Sequence, residues 1–598
     1  FAVSGVTANW NSMLKTSTRA SLWTDLAGKA NTEVIPDTYA RLRQMATAYA
    51  SAGATGLYQN AALRADIISG MDWLYANWYN ENLPALPSVT FSGALGGWAS
   101  YAWFDLQIGA PLGLNDLMVL LYDDLTPQQI TNYSNAIARF LPSIIASDST
   151  STGANLMWKC KVTALRGVIQ KNATLVNHAI TQLSNPTSSL FATVTTGDGF
   201  YADGSFVQHT AHAYTGGYGT ELISDIADFL FLYQSPPFTV TDPAKANVFT
   251  WLRTSFDPVI YKGGVFDSVR GRQVARLSTT SHAAGRSMVS AFLRATQFAP
   301  PAEAAYYKSA IKYWLTVDTT FTNRYSNLTV YDQVVAKAIM NDATVTARGD
   351  LLGHFHYAGM DRVVHHSPGW ASSTSMHSTR IYNYESSSGE NLRGWHQGDG
   401  MLQIATSDLN QFGNAYWPTT DAQRLPGTTV EAGTTAPQRT KGRSAKVGGV
   451  SDTTGRFGLS AMEMAPGGTS ALRAKKAWFY SDNKIVCLGA GIAGTGTPTI
   501  ESIVENRVLS AAGTNAFTLN GAAAAVPSLQ AAPATAAVLN NVQYAHLVGN
   551  VADGSADMGY YFPSPTTLKA VRETRSGAWR DINSGGSGSA YTTVNTSR

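Results

Sequence analysis

The spacing of apolar residues changes character once along this 598-residue chain, and that change limits the available folds more than any single motif does. In the first half the spacing is helical. Tyr39, Leu42, Met45 and Tyr49 form one stripe, and Leu63, Ile67, Met71 and Leu74 form a second. Thr126, Pro127 and Gln129 offer an N-cap, a proline in the first turn and a capping-box partner, and Ile130, Tyr133, Ile137, Phe140 and Leu141 follow as an apolar face. Helix hairpins in series predict a toroid or an α-solenoid, and a toroid leaves a cleft at one end. From about Gly349 the texture becomes short alternating runs broken by Gly, Pro, Ser and Asp. Trp478 to Tyr480, a turn at Ser481 to Lys484, and Ile485 to Leu488 read as a hairpin, and Leu568 to Arg575 alternates apolar with polar. The Ala-rich stretch from Gly521 to Ala537 contains Pro527 and Pro533 and reads as loop, and the chain closes in Gly- and Ser-rich sequence from Gly585 to Arg598.

A chain this long divides into two or three domains. Only 14% of residues are charged, so the surface relies on Ser, Thr, Asn and Gly, which suits a secreted, extracellular protein. A net charge of +3 is too small for a nucleic-acid footprint and is compatible with an anionic substrate. The 14 Trp and 27 Tyr exceed what cores usually need, and exposed rings stack on the apolar faces of sugars. Cys160 and Cys487 lie in different regions and are expected as two buried free thiols. No apolar run is long enough to span a membrane. The chain opens at Phe1 with no Met and no charged, apolar leader, as after removal of a signal peptide.

The stretch from Asp198 to Gly219 carries the chemistry. It places His209 and Tyr218 among glycines that let the backbone double back, so that an imidazole and a phenol can face one cleft and pass a proton. The run Asp198-Gly199-Phe200-Tyr201-Ala202-Asp203-Gly204-Ser205-Phe206-Val207-Gln208-His209, with Tyr214-Thr215-Gly216-Gly217-Tyr218-Gly219, closely resembles the signature of the family 8 polysaccharide lyases, the bacterial hyaluronate, chondroitin AC and xanthan lyases. The resemblance covers nearly the whole chain. It implies an α+β multidomain fold, an N-terminal (α/α) incomplete toroid over residues 1–345 followed by antiparallel β-sandwich domain(s) over 346–598. Family members usually carry a further small β domain, which implies a chain shortened at its C-terminus.

Four more stations match. Trp103-Phe104-Asp105 resembles the family's paired tryptophans before Asp that place the sugar chain, with Phe104 in the second position. Thr152-Gly153-Ala154-Asn155 resembles the family's Thr-Gly-Ala-Asn, whose amide meets the substrate carboxylate; Leu156-Met157-Trp158 follows here where the family often has Arg after the Asn. Arg270-Gly271-Arg272, with Arg276, resembles an Arg-Gly-Arg-x-x-x-Arg motif, and the spacing of Arg272 and Arg276 predicts two guanidiniums on one helical face. Ser388-Gly389-Glu390-Asn391 resembles the station whose Glu pairs with Arg across the domain boundary to hold the catalytic Tyr and His. By this resemblance Asn155, His209, Tyr218, Arg272, Arg276 and Glu390 are the catalytic set, Trp103, Phe104, Asn391 and Trp417 bind substrate, and His212 and Tyr214 support the pair.

Together these imply β-elimination in a uronic-acid polymer: His209 or Tyr218 takes the C5 proton, Tyr218 protonates the leaving oxygen, Asn155 and the arginines mask charge, and Arg276 beside the phenol favours phenolate. The expected partner is an anionic polysaccharide, hyaluronan first, chondroitin second and xanthan third, acted on by a monomer without cofactor or metal. The order rests on the intact Gly389-Glu390-Asn391 and on Leu277-Ser278 after Arg276, where xanthan lyases carry Ser-Tyr. A glycoside hydrolase would need two carboxylates, for which Asp105, Asp203, Glu390 and Asp399 are available. A polysaccharide-binding protein would need no acid–base pair. His354, His356, His365, His366 and His377 lack acids at metal-site spacing and are expected as solvent-facing strand residues.

Overall fold

The computed structural model describes residues 3–27, 32–84, 102–145, 151–185, 187–413, 415–433, 436–495, 499–585 and 593–598. Helices dominate up to Val330–Asn341, and strands dominate from Gly353–Tyr357 onward. The expected helical stripes are core. Helix Val34–Ala50 buries Tyr39, Leu42 and Met45, and helix Ala61–Asn77 buries Leu63, Ile67, Met71 and Leu74. Helix Pro127–Phe140 begins with the predicted capping box, Thr126 accepting from the Gln129 backbone while the Gln129 side chain returns to the Thr126 backbone, and it buries Tyr133, Ile137 and Phe140 in the same cluster.

By their contacts the residues form two compact units, Phe1–Phe191 with Leu232–Lys245, and Ala192–Phe231 with Ala246–Arg598. The second unit thus contains helices Ser281–Ala295, Pro301–Val317 and Val330–Asn341 as well as the sheets. Strands Gly353–Tyr357, Arg362–Ser367, Trp370–Ser375 and Met401–Ala405 form one antiparallel sheet in chain order. Strands Val447–Ser451, Gly458–Met464, Arg473–Ser481 and Lys484–Ala493 form a second, whose last hairpin closes at Ser481 opposite Lys484 as the sequence predicts. Val363 and Leu402 from the first sheet meet Met462, Met464, Trp478 and Tyr480 from the second in one apolar core. A third sheet joins Ala537–Leu547 to Met558–Ala570, and a short parallel pairing of Gln530–Ala531 with Glu573–Ala578 departs from the antiparallel rule.

Two local expectations are corrected, one for the cysteines and one for the histidines between His354 and His377. Cys160 is buried, but Cys487 is exposed, on a strand, Lys484–Ala493, that is exposed along nearly all of its length. The closing Gly- and Ser-rich sequence yields a strand at Thr593–Ser597, paired with Glu573–Ala578; residues 586–592 lie outside the described residues. His354, His365, His366 and His377 are buried and His356 is half-buried, none of them facing solvent. Strand Arg362–Ser367 is central in its sheet and buried on both faces, so its histidines have no open side.

Candidate active site

His209 sits at the tip of a tight hairpin. Strand Phe206–Gln208 pairs with His212–Ala213, and the turn is closed by His209 and Thr210, both left-handed with φ of 52° and 66°. Asp198 anchors it, accepting from the Thr210 backbone at 2.6 Å and from Gln208 Nε2 at 2.9 Å. The chain then enters one wide π turn, Thr215–Gly219, that carries Tyr218 back toward the tip. The His209 and Tyr218 rings lie 4.7 Å apart at 67°, so the glycine-rich segment does bring imidazole and phenol together.

Glu385, which the sequence reading passed over, organises this pair. His209 Nδ1 lies 2.6 Å from Glu385 Oε1, and because a carboxylate only accepts, Nδ1 carries a proton and Nε2 is the nitrogen that has the lone pair in the neutral ring. Burial alone would push the Glu385 carboxyl up, but the His209 hydrogen bond and the Arg272 charge outweigh it and hold it well below the usual range. Arg272 donates Nη1 to Glu385 Oε1 at 2.8 Å, its backbone N–H to Glu385 Oε2 at 2.8 Å, and Nη2 to the Tyr218 hydroxyl at 3.2 Å. Glycine before Arg272 is required: Gly271 is left-handed at φ 51°, and a Cβ there would meet the Tyr214 ring and, at 2.7 Å, Glu385 Oε2.

Glu390 holds both arginines. It accepts from Arg272 Nε at 2.7 Å, and from Arg276 Nε at 2.6 Å and Nη2 at 2.8 Å. The two guanidiniums do not share an α-helical face. Gly271–Ala275 is a 3₁₀ turn and Arg276 is extended, so the Glu390 carboxylate, not helix periodicity, brings them together. Arg272 touches the phenol through Nη2. The two arginines are paired with Glu385 and Glu390. All of these residues, Glu390 included, belong to the second compact unit.

Other expected residues have different places. Asn391 is buried and its amide is spent on the Glu385 carbonyl at 2.7 Å and Gln397 at 3.0 Å, so it shapes the loop rather than offering itself to a ligand. Trp417 is buried beside Tyr416, Leu425 and Trp579, donates Nε1 to Asp267 at 2.8 Å and lines the small cavity that Glu385 also lines. His212 stacks on Tyr382 at 4.9 Å and is pushed down to about 4, chiefly by burial, so it stays neutral. Tyr214 is buried, its ring perpendicular to that of Tyr218 at 4.9 Å. In the first unit, Phe104 is 39% exposed and lies edge-on to Trp103 at 5.9 Å and to Trp158 at 5.8 Å. Asn155 is buried in the first turn of helix Gly153–Ile169. Among the described residues no group of three or more His, Cys, Asp or Glu side chains is arranged to hold a metal.

Residues 3–313 match the polysaccharide lyase family 8 N-terminal alpha-helical domain, and residues 352–596 match that family's super-sandwich domain. The chain belongs to polysaccharide lyase family 8. Among its family 8 relatives, the xanthan lyase of Bacillus sp. (strain GL1) is 40% identical over 574 residues, 96% of this chain and 58% of that protein. The hyaluronate lyase of Thermasporomyces composti is 35% identical over 582 residues, 95% of this chain and 69% of that protein. The structure of Paenibacillus xanthan lyase superposes with a TM-score of 0.88 at 40% identity, covering 100% of this chain and 54% of that one. The chain thus spans little more than half the length of the xanthan lyases it matches. The similarity is greater to xanthan lyase than to hyaluronate lyase, the reverse of the expected order. Of the features behind that order, Glu390 and Asn391 are buried, whereas Leu277 is half-buried and Ser278 is exposed. Glu390 and Asn391 are consumed by Arg272, Arg276 and the Glu385 carbonyl, and Leu277 packs against the cluster of Val274 and Trp417.

Proposed function

We propose that this chain is the lyase portion of a secreted enzyme that cleaves an anionic, uronic-acid-bearing polysaccharide by β-elimination, with xanthan as first substrate and hyaluronan or chondroitin as alternatives. The observation that carries the reading is the proton-transfer pair with its fixed tautomer, His209 Nδ1 on Glu385 and the Tyr218 hydroxyl on Arg272. The C5 hydrogen becomes acidic when the charge that builds on the adjacent carboxylate is neutralised, and elimination also needs an acceptor for the C5 proton and a donor for O4. His209 Nε2 and the Tyr218 oxygen are the two acceptors. Arg272 already occupies a lone pair of that oxygen, which leaves the phenol proton free to be aimed at the leaving O4. No water is consumed and the product is a 4,5-unsaturated uronide. Asn155, assigned by its motif to the substrate carboxylate, belongs to the other unit and enters this proposal on sequence alone.

Of the four carboxylates open to a hydrolase, Asp105 is raised to about 6 by burial but is hydrogen-bonded to Thr32 in the other unit, and the remaining three are already engaged. Asp203 accepts from the Ser205 and Gly359 backbones, Glu390 is bound by two arginines, and Asp399 lies between two histidines. The test is ultraviolet absorbance of the conjugated uronide formed from xanthan, hyaluronan and chondroitin. Tyr218→Phe should slow its formation by roughly 10² or more, as loss of general acid–base catalysis does, while polymer binding is kept. A variant within about tenfold of wild type on that scale overturns the assignment.

A further inference from the structure

The loop that carries Glu385 and Glu390 is long and irregular. Ser375 pairs with Met401 at the base of two neighbouring strands, and residues 376–400 between them form one excursion without helix or strand beyond isolated bridges. Glu385 and Glu390 both lie on it. Under it is a small cavity of about 30 Å³ lined by Asn383, Tyr384, Glu385 and Gln397, with Asp267 and Arg362 opposite. Met376 and Ile381 are buried and hold the start of the loop in apolar packing, and polar cross-links hold the stretch that carries the two carboxylates.

We infer that Asp399 is a positioning residue, clasping His377 and His396 across the neck of the loop so that Glu385 and Glu390 meet His209 and the arginines. His377 stands two residues after one strand and Asp399 two residues before the other, with His377 Nδ1 3.1 Å from Asp399 Oδ1 and 2.9 Å from the Gly398 carbonyl. His396 Nδ1 lies 2.7 Å from Asp399 Oδ2, and its Nε2 is 3.0 Å from Gln423. All three side chains are buried. Burial works against charge on both histidines, but hydrogen bonds to Asp399 and its charge outweigh it and raise both above the ordinary range, while the same contacts hold Asp399 low. Lys476 closes the neck from the second sheet, donating to the carbonyls of Asp399 and Gly427. Gly398 leaves no slack: a Cβ there would stand 2.5 Å from the Asn383 carbonyl oxygen and 2.8 Å from its Cα. From this neck Gln397 reaches Asn391, and Asn391 reaches the Glu385 carbonyl, so the clasp is linked to the catalytic pair through two amides.

The kinetic half of this inference rests on the proposed lyase reading; the structural half does not. Amide hydrogen exchange over residues 378–395 and lyase kinetics are compared in the whole protein for Asp399→Asn, His396→Gln and His396→Asn. Asparagine at 396 keeps a donor at the Nδ1 position, whereas glutamine does not. Asp399→Asn and His396→Gln should speed exchange in the loop by about tenfold or more with the sheets still protected, and lower kcat with KM nearly unchanged, and His396→Asn should restore both. Unchanged loop exchange in the first two variants, or damage from His396→Asn equal to that from His396→Gln, overturns the clasp. If Asp399→Asn does not fold, the His396 pair decides. Wild-type protein that forms no unsaturated uronide from any of the three polymers would sink the lyase reading, and the exchange data would still judge the clasp.

Discussion

His209 and the histidines of the first sheet are the same side chain in opposite settings within one compact unit. His209 is 33% exposed, stands on a strained hairpin tip, and has one nitrogen tied to a buried carboxylate. His366 is enclosed by Tyr261, Phe266 and Phe355 and touches the Pro258 carbonyl at 2.6 Å, and His354 lies against His365 and Tyr480. Burial, with like charge from neighbouring histidines, pushes His354 down to about 3 and His366 to about 4, so both are neutral core groups. Proton chemistry thus needs two things at once: a partner that fixes which nitrogen carries the proton, and an open side for the other. Neither burial nor exposure alone provides them.

The comparison breaks first at Glu385. Glu385→Gln keeps the shape and removes the charge that fixes the His209 tautomer, so kcat should fall by roughly 10² to 10⁴ while KM for polymer changes little; steady-state kinetics with kcat unaltered would return Glu385 to an ordinary buried carboxylate. His366→Ala should do the opposite, costing roughly 2 to 4 kcal/mol in denaturant unfolding through the cavity and the unpaired carbonyl, with kcat per folded molecule unchanged.

Acid sharpens the contrast. Because the folded state holds His354 and His366 well below their ordinary value, the unfolded chain takes protons first, so their contribution is complete above about pH 6.5 and is lost as pH falls toward 4 and 3. Near pH 5 the loss is roughly 2 kcal/mol for each such residue, and melting curves should show a shallower acid decline in His366→Asn than in wild type. The smallest effect is expected at Trp417→Phe, which removes one hydrogen bond to Asp267: about 1 kcal/mol of stability, with KM unmoved. A raised KM at constant stability would instead restore Trp417 to substrate binding.

Local patterns on the chain were sufficient for the helices of the first unit, because stripes such as Leu63 to Leu74 and the Thr126 capping box are decided by residues within a turn or two of one another. They also sufficed for the hairpin at Ser481 to Lys484 and for the family, whose motifs are contiguous. Glu390 was found through such a motif. Glu385 was not, since its partner His209 is 176 positions away and nothing in a Ser-rich run marks one carboxylate above another. Which arginine reaches the phenol, whether Asn391 and Trp417 face a ligand or the interior, and which histidines are neutral depend on burial and on partners distant in sequence. Those quantities come into being only when the chain closes on itself, because desolvation and charge pairing are properties of the packed neighbourhood and not of the residue.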